Sequence, residues 1–255
     1  MSNKIFIPMI NEEEKKEILN LLNENEIKIE NLHINLDNGK YIAGMFGKLV
    51  DKSMRNFFKY DHFIESINDL SQKTKLSIIK CLEEYQKVNC NTFNPMNNVL
   101  SENESKAYYY MENALFREIV LWDSLAQLLN LYYDLDKDVK KVSYKSLIKE
   151  LSNTDCKEIN IQEILSYINE EYDITNTDFN KGIHDCICQL RHQMTHRYSI
   201  AITSLSENTY LRAMPDSLYK IAKDYNVVQK YLVQIINIII KDINDNNVTD
   251  KILLK

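Results

Sequence analysis

The chain is predicted to be an all-α protein, an up-and-down helical bundle with a four-helix core and additional N-terminal helices. Only four glycines and three prolines occur in 255 residues, which disfavours sandwiches and barrels and favours long helices. Apolar residues recur at helical spacing along most of the chain, and helix-start signals precede several of these stretches. No G-x-G-x-x-G or G-x-x-x-x-G-K pattern occurs, so a glycine-rich phosphate loop is not expected.

The helices can be placed in order from these signals. Asn11, followed by three glutamates, is an N-cap with acids in the first turn and predicts a helix to about Glu24. A short strand is expected over 27–36, and Asp37-Asn38-Gly39 is a turn signal. Further helices are predicted over 41–58, 61–88 with a break near Ser71, 101–133, 143–151, 161–171, 177–198 and 215–243.

The Asn-rich segment 89–98 is the predicted linker. It divides the chain into an N-terminal accessory region, residues 1–98, and a helical bundle, residues 99–255. The accessory region is either a separate part or a portion of the same domain.

One buried carboxylate is predicted on the longest helix, which starts with the capping box Ser101/Glu104. Glu118 lies in the middle of its apolar face, where burial of a lone charge is costly. We therefore expect a partner, either a buried Tyr, Lys or backbone amide, or an arginine of the helix that contains residues 189–198. The apolar face consists of Ala107, Met111, Ala114, Leu115, Trp122, Leu125, Leu129 and Tyr132.

The stretch 189–198, QLRHQMTHRY, concentrates basic and titratable side chains near a predicted helix end. The simplest interpretation is a polar surface helix. A second is a metal site, because histidines and a cysteine recur every four residues along one row: His184, Cys188, His192 and His196. One straight helix cannot place four ligands tetrahedrally round one ion, so other ligands would have to come from elsewhere.

The third interpretation is acid–base chemistry on a phosphodiester. Arg191 offers a fixed cation for phosphate oxygens, and His196 titrates near neutral pH. Cleavage of RNA needs those two functions and no metal, because the 2′-hydroxyl is the nucleophile. His192 would be a second proton carrier or a positioning group.

These residues resemble the HEPN superfamily. Arg191-His192-x-x-x-His196 is similar to its R-x(4–6)-H motif, and Tyr198 extends it to the R-x(4)-H-x-Y form of HEPN toxins that are paired with nucleotidyltransferases. The helix that reads Ala114-Leu115-Phe116-Arg117-Glu118 precedes the motif, as the resemblance requires. We expect the resemblance to cover residues 101–243.

The resemblance implies a metal-independent, homodimeric endoribonuclease of toxin–antitoxin, phage-defence or RNA-processing type, without a cofactor. It implies that Arg191 and His196 are catalytic and that His192 supports them. From their places in the sequence we expect Glu118 and Tyr198 to have supporting roles and Arg197 to bind the substrate. RNA, a second copy of the chain, and an antitoxin or nucleotidyltransferase are the expected partners. Tyr198 is the residue that such a nucleotidyltransferase would adenylylate. The alternative is a non-catalytic helical module that binds nucleotides or proteins.

Composition limits where and on what the protein acts. The five cysteines follow no C-x-x-C spacing and are odd in number, which indicates free thiols and a cytoplasmic location. The apolar run around Ile235 to Ile240 is too short to span a membrane. The net charge of −6 disfavours a nucleic-acid-binding surface over the whole protein, but Lys and Arg outnumber Asp and Glu between Lys181 and Lys230.

Overall fold

The computed structural model describes residues 10–25, 52–88, 101–138, 141–154, 156, 158–173, 180–196 and 214–245. Within these ranges the chain forms seven helices and no strand, which confirms the all-α prediction. The helices are α1 (Glu12–Glu24), α2 (Lys52–Gln86), α3 (Glu102–Tyr132), α4 (Tyr144–Leu151), α5 (Ile161–Asn169), α6 (Ile183–His196) and α7 (Met214–Asp245).

Two helices begin with the side-chain caps that the sequence predicts. Asn11 Oδ1 accepts hydrogen bonds from the backbone N–H groups of Glu13 and Glu14 at 2.9 and 2.8 Å, and starts α1. At the start of α3, the Ser101 N–H donates to Glu104 Oε2 at 2.7 Å and the Glu104 N–H donates to Ser101 Oγ at 3.3 Å. These bonds satisfy backbone donors that the first helical turn leaves without a partner.

The chain divides into two compact units. The first consists of residues 1–24, 72–120 and 166–227. Within it, Tyr219 Oη donates to Glu17 Oε1 at 2.7 Å, which links α7 to α1, and Arg117 Nη1 donates to Ser77 Oγ at 3.2 Å, which links α3 to α2. Its buried apolar side chains include Ile18, Leu22, Ile78, Leu82, Met111, Leu115, Ile183, Ile187, Leu218 and Ile221.

The second unit consists of residues 25–71, 121–165 and 228–255. The Trp122 ring of α3 packs against Tyr144 of α4 with ring centroids 5.9 Å apart, and the indole side chain is completely buried. Lys230 of α7 pairs with Glu163 of α5 at 2.7 Å. Trp122 and Tyr144 thus pack within a core that is otherwise mostly leucine and isoleucine, and the Lys230–Glu163 ion pair lies at its surface.

Helix α2 differs from its prediction. The two expected helical regions, with a break near Ser71, form one continuous helix from Lys52 to Gln86. Ser71 is 3% exposed and Thr74 is completely buried, so these polar residues lie inside the protein without interrupting the helix. No glycine or proline lies between Lys52 and Gln86 to break it.

The remaining predictions have mixed outcomes. Helix α4 begins after Ser143 as expected, although the Ser143 side chain forms no capping hydrogen bond. The predicted strand at 27–36, the turn at Asp37-Asn38-Gly39 and the linker at 89–98 lie outside the described residues, so the boundary at residue 98 stays a prediction. No helix in the described part of the chain is both long and apolar enough to cross a membrane.

Candidate functional site

Helix α6 carries the predicted motif, and a tight turn fixes where it begins. Gly182 has a φ of 62°, and its N–H donates to Glu170 Oε2 at 3.0 Å. Its carbonyl accepts the Cys186 N–H at 2.9 Å. Because residues 180–182 form a turn, the helix starts at Ile183, and the predicted start at Thr177-Asp178 is wrong.

Polar contacts also hold the first turn of α6. Asp185 Oδ2 accepts the backbone N–H of Tyr172 at 3.2 Å and the side-chain amide of Gln189 at 2.8 Å. A carboxylate in a first helical turn also interacts favourably with the helix dipole. The segment that follows α5 therefore holds the N-terminal end of the motif helix in place.

The two ends of α6 differ in burial. Ile183, His184 and Ile187 are buried in the first two turns, whereas Arg191 and His192 are exposed near the C-terminal end. The buried stripe of the helix thus ends before the motif begins. Positive charge and a titratable imidazole are accessible to solvent on the last turns.

The predicted catalytic residues are placed only in part. Arg191 and His192 are neighbours on α6, and His196 is the last residue of the same helix, although its side chain lies outside the described part. Arg197 and Tyr198 lie outside the described residues. The backbone therefore places the motif at the end of a helix, as expected, and the roles of its side chains stay predictions.

A buried network of polar side chains lies in the same unit as the motif. Asp224 of α7 accepts a hydrogen bond from Tyr167 Oη at 2.8 Å, and its Oδ1 lies 3.0 Å from Nδ1 of His184. On the other side of the imidazole ring, Nε2 lies 3.4 Å from Sγ of Cys188. His184 and Asp224 are both completely buried.

The charge of Asp224 controls the protonation of His184. Burial alone would lower the pKa of this imidazole, but the neighbouring carboxylate, together with the hydrogen bonds to Asp224 and Cys188, raises that pKa to about 9. At neutral pH His184 is therefore an imidazolium ion paired with Asp224. Burial and the Asp224 carboxylate likewise raise the pKa of Tyr167, so this phenol stays a donor.

Glu118 is buried as predicted, but its expected pairing is wrong. Its side chain is completely buried, and neither carboxylate oxygen has a hydrogen-bond partner. Burial, the negative charge of Asp224 and a hydrogen-bonding interaction with that carboxylate, outside ordinary hydrogen-bond geometry, raise its pKa well above the ordinary value. The group therefore avoids the cost of a lone buried charge by retaining its proton, whereas Arg191 is exposed.

Within the candidate metal row, the structure brings Cys188 into contact with His184. His184 and Cys188 touch through a hydrogen bond, and the other imidazole nitrogen of His184 is bound to Asp224. In the parts of the chain that the structure describes, no group of three or more His, Cys, Asp or Glu side chains could hold a metal ion.

Asp224 and Tyr167 were not identified from the sequence. A signal for Asp224 was present, because it lies on the stripe of α7 that contains the buried residues Ile221 and Val228, three positions before it and four after it. A carboxylate in such a stripe needs a partner, as at Glu118. No local pattern indicates that this partner is His184, forty residues earlier.

The HEPN resemblance predicts an all-α protein with the R-x(4)-H motif on a helix. The structure has both features: the described chain is all-α, and the motif lies at the end of α6. A family model, described as HEPN_Cthe2314-like HEPN, matches residues 34–244. The chain therefore belongs to this HEPN family. The match is longer than the predicted 101–243 and includes the whole of α2. No curated protein and no solved structure matches the chain.

Proposed function

We propose that the protein is a metal-independent endoribonuclease that acts through the motif on α6. The observation that carries the proposal is the exposure of Arg191 and His192 on the last turns of that helix, beside His196 at its end, in a chain of a HEPN family. A cation and titratable imidazoles near one accessible helix end are the groups that RNA transesterification requires.

The reaction divides between these side chains. One imidazole takes the proton of the 2′-hydroxyl, whose oxygen attacks the adjacent phosphorus. The bond to the 5′-oxygen breaks, and a second imidazole donates a proton to that leaving group. We assign these roles to His196 and His192, with Arg191 stabilising the charge on the phosphate oxygens. Arg197 binds a neighbouring phosphate.

The buried network supports the site from inside the unit. The His184–Asp224 pair joins α6 to α7, and breaking a buried pair by removing one partner costs about 3–5 kcal/mol. Glu118 supports the motif helix as part of this buried group and does not contact Arg191. The network thus positions the helix that presents the catalytic side chains.

The proposed partners follow from the same site. RNA is the substrate, a second copy of the chain completes the cleft, and an antitoxin or nucleotidyltransferase controls activity. Adenylylation of Tyr198, two residues after His196, would place negative charge where an RNA phosphate must bind. Toxin or antiviral defence is the biological role that we propose.

The first prediction tests catalysis directly. Arg191→Ala and His196→Ala should each lower the rate of RNA cleavage at least about a hundredfold, because each removes a group that acts in the transition state. Helical circular dichroism should be unchanged. Cleavage should survive EDTA and leave 2′,3′-cyclic phosphate ends, as measured by mass spectrometry of the RNA products.

His62→Ala is the matched control, because this exposed histidine lies on α2, outside the motif. It should cleave at the wild-type rate. A strict requirement for added zinc or magnesium would contradict the mechanism. Binding of RNA or nucleotide without cleavage would instead support a non-catalytic binding module.

A further inference from the structure

A second set of reactive side chains lies on α6, outside the ribonuclease motif. Cys188 Sγ lies 3.4 Å from Nε2 of His184, whose Nδ1 lies 3.0 Å from Oδ1 of Asp224. Thiol, imidazole and carboxylate thus form one continuous chain of contacts. A histidine oriented by a carboxylate is an arrangement that activates a neighbouring cysteine, as a base when neutral and as a cation that stabilises the thiolate when protonated.

The imidazole in this chain carries a positive charge at neutral pH. The pKa of His184 is about 9, because the attraction of Asp224 outweighs the opposing effect of burial. An imidazolium N–H beside sulfur stabilises the thiolate, which is the nucleophilic form of cysteine. His184 is therefore suited to activate Cys188 rather than merely to pack against it.

Glu118 provides an independent indication that a ligand atom belongs here. Its carboxyl is completely buried, and neither oxygen has a hydrogen-bond partner of ordinary geometry. Asp224, through its charge and hydrogen bonding, and Cys188, through its charge, raise the pKa of this carboxyl. Because burial raises its pKa well above the ordinary value, the group retains a proton that it can donate. A new oxygen on Cys188 would be an acceptor for that proton.

Cys188 also differs from the other described cysteines. It is partly exposed, whereas Cys81 and Cys186 are buried. Burial raises the pKa of the Cys81 thiol to about 12, which keeps that thiol inert. Cys156 is similarly accessible, but its sulfur lies 2.9 Å from the Thr154 hydroxyl. Cys188 thus combines access with a charged histidine.

We propose that Cys188 is a modification site, a thiol that hydrogen peroxide oxidises to a sulfenic acid and that a small thiol then converts to a mixed disulfide. The thiolate attacks one peroxide oxygen, the S–O bond forms and the O–O bond breaks. The departing hydroxide takes the Nε2 proton of His184 and leaves as water. Sulfur loses two electrons, which the peroxide gains; a small thiol then displaces the hydroxyl as a second water.

The modification would act on the motif through the helix that both share. An adduct on Cys188 must displace its contact with His184, and Arg191 follows three residues later on α6. Oxidation should therefore lower RNA cleavage. This consequence rests on the proposed ribonuclease function, whereas the reactivity of the thiol does not.

The experiment compares two cysteines within one folded protein. Wild-type protein is treated at neutral pH with limiting hydrogen peroxide and dimedone, which traps sulfenic acid, and each site is quantified by peptide mass spectrometry. Cys188 should be labelled at least about tenfold faster than Cys156. In guanidinium chloride the two rates should become similar, because unfolding separates Cys188 from the charged network.

Variants separate the chemistry from its consequence. Asp224→Asn should bring the labelling of Cys188 down towards that of Cys156 while circular dichroism stays helical. Cys188→Ser should cleave RNA at the wild-type rate and resist peroxide, whereas Cys156→Ser should remain sensitive. Equal labelling of Cys188 and Cys156 in the folded wild type overturns the modification site. Absence of RNA cleavage in untreated protein counts only against the ribonuclease function.

Discussion

At the residue scale, the unpaired Glu118 carboxyl should impose a pH-dependent cost on folding. Its pKa is raised in the folded state, so its contribution to stability is fully present below the ordinary carboxyl pKa and is lost as pH rises towards the raised value. Glu118→Gln has the same shape and cannot ionise. The variant should be as stable as the wild type near pH 4. As pH rises, the wild type should lose stability relative to the variant, by up to about 1.4 kcal/mol per pH unit.

Urea unfolding of both proteins between pH 4 and pH 8 measures this difference. Glu65→Gln, on the exposed face of α2, is the matched control, and its difference from the wild type should stay nearly constant with pH. A difference between the two proteins that stays the same from pH 4 to pH 8 would show that folding does not shift the Glu118 pKa, and would contradict a neutral buried carboxyl.

The sequence predicted those features of the buried polar network that depend on spacing within one helix. The periodicity of α3 placed Glu118 on a buried face, and the four-residue spacing of His184 and Cys188 predicted that they share one side of α6. The protonation of Glu118 could not be predicted, because it depends on the carboxylate of Asp224 from a distant part of the chain. His184 and Asp224 are forty residues apart, and no repeating pattern in the sequence predicts that they pair.

At the element scale, Gly182 determines where the motif helix begins. Its positive φ favours glycine, and a Cβ at this position would collide with the Glu171 carbonyl and the Tyr172 backbone. Gly182→Ala should therefore lower the free energy of unfolding by at least about 2 kcal/mol. Hydrogen exchange at the amides of α6 should become faster than at those of α3.

The exposed neighbour provides the control for this substitution. Lys181→Ala alters the same turn without the steric conflict, so its stability should remain close to that of the wild type. Unchanged stability in the Gly182→Ala protein would mean that the turn has an alternative conformation. The Gly182 turn also explains why the predicted start of α6 was wrong. The helical spacing of apolar residues extends to positions before this turn, but the backbone is not helical at Gly182.

Caps and breaks show the same limit of local patterns. The Asn11 and Ser101 caps were predictable because each forms bonds within three residues. The break expected at Ser71 was wrong because burial in the folded unit, and not the local preference of serine, decides whether a helix continues there. Local chemistry therefore predicts a helix start where a cap forms its own bonds, as at Asn11 and Ser101, but not where burial or a turn decides the outcome, as at Ser71 and Gly182.

At the scale of the whole molecule, the proposed site needs more groups than one α6 helix presents on one face. Five residues separate Arg191 from His196, which places them about 140° apart around an ideal helix. Two motif helices that meet across a two-fold axis would bring two arginines and two histidines to one cleft. We expect the apolar and aromatic residues just beyond the motif, Tyr198, Ile200 and Ile202, to form this interface; all three lie outside the described residues.

Mixing inactive variants tests this composite site. Arg191→Ala and His196→Ala chains, unfolded together and refolded, should form mixed dimers that keep one Arg191 and one His196 in the shared cleft. RNA cleavage by the mixture should exceed the sum of the two separate variants, and analytical ultracentrifugation should show dimers. Refolding each variant alone is the control. Mixed dimers that remain inactive would contradict a cleft in which one Arg191 and one His196 suffice. A monomer with full specific activity would rule out a site shared between copies, because the catalytic groups would then all come from one chain.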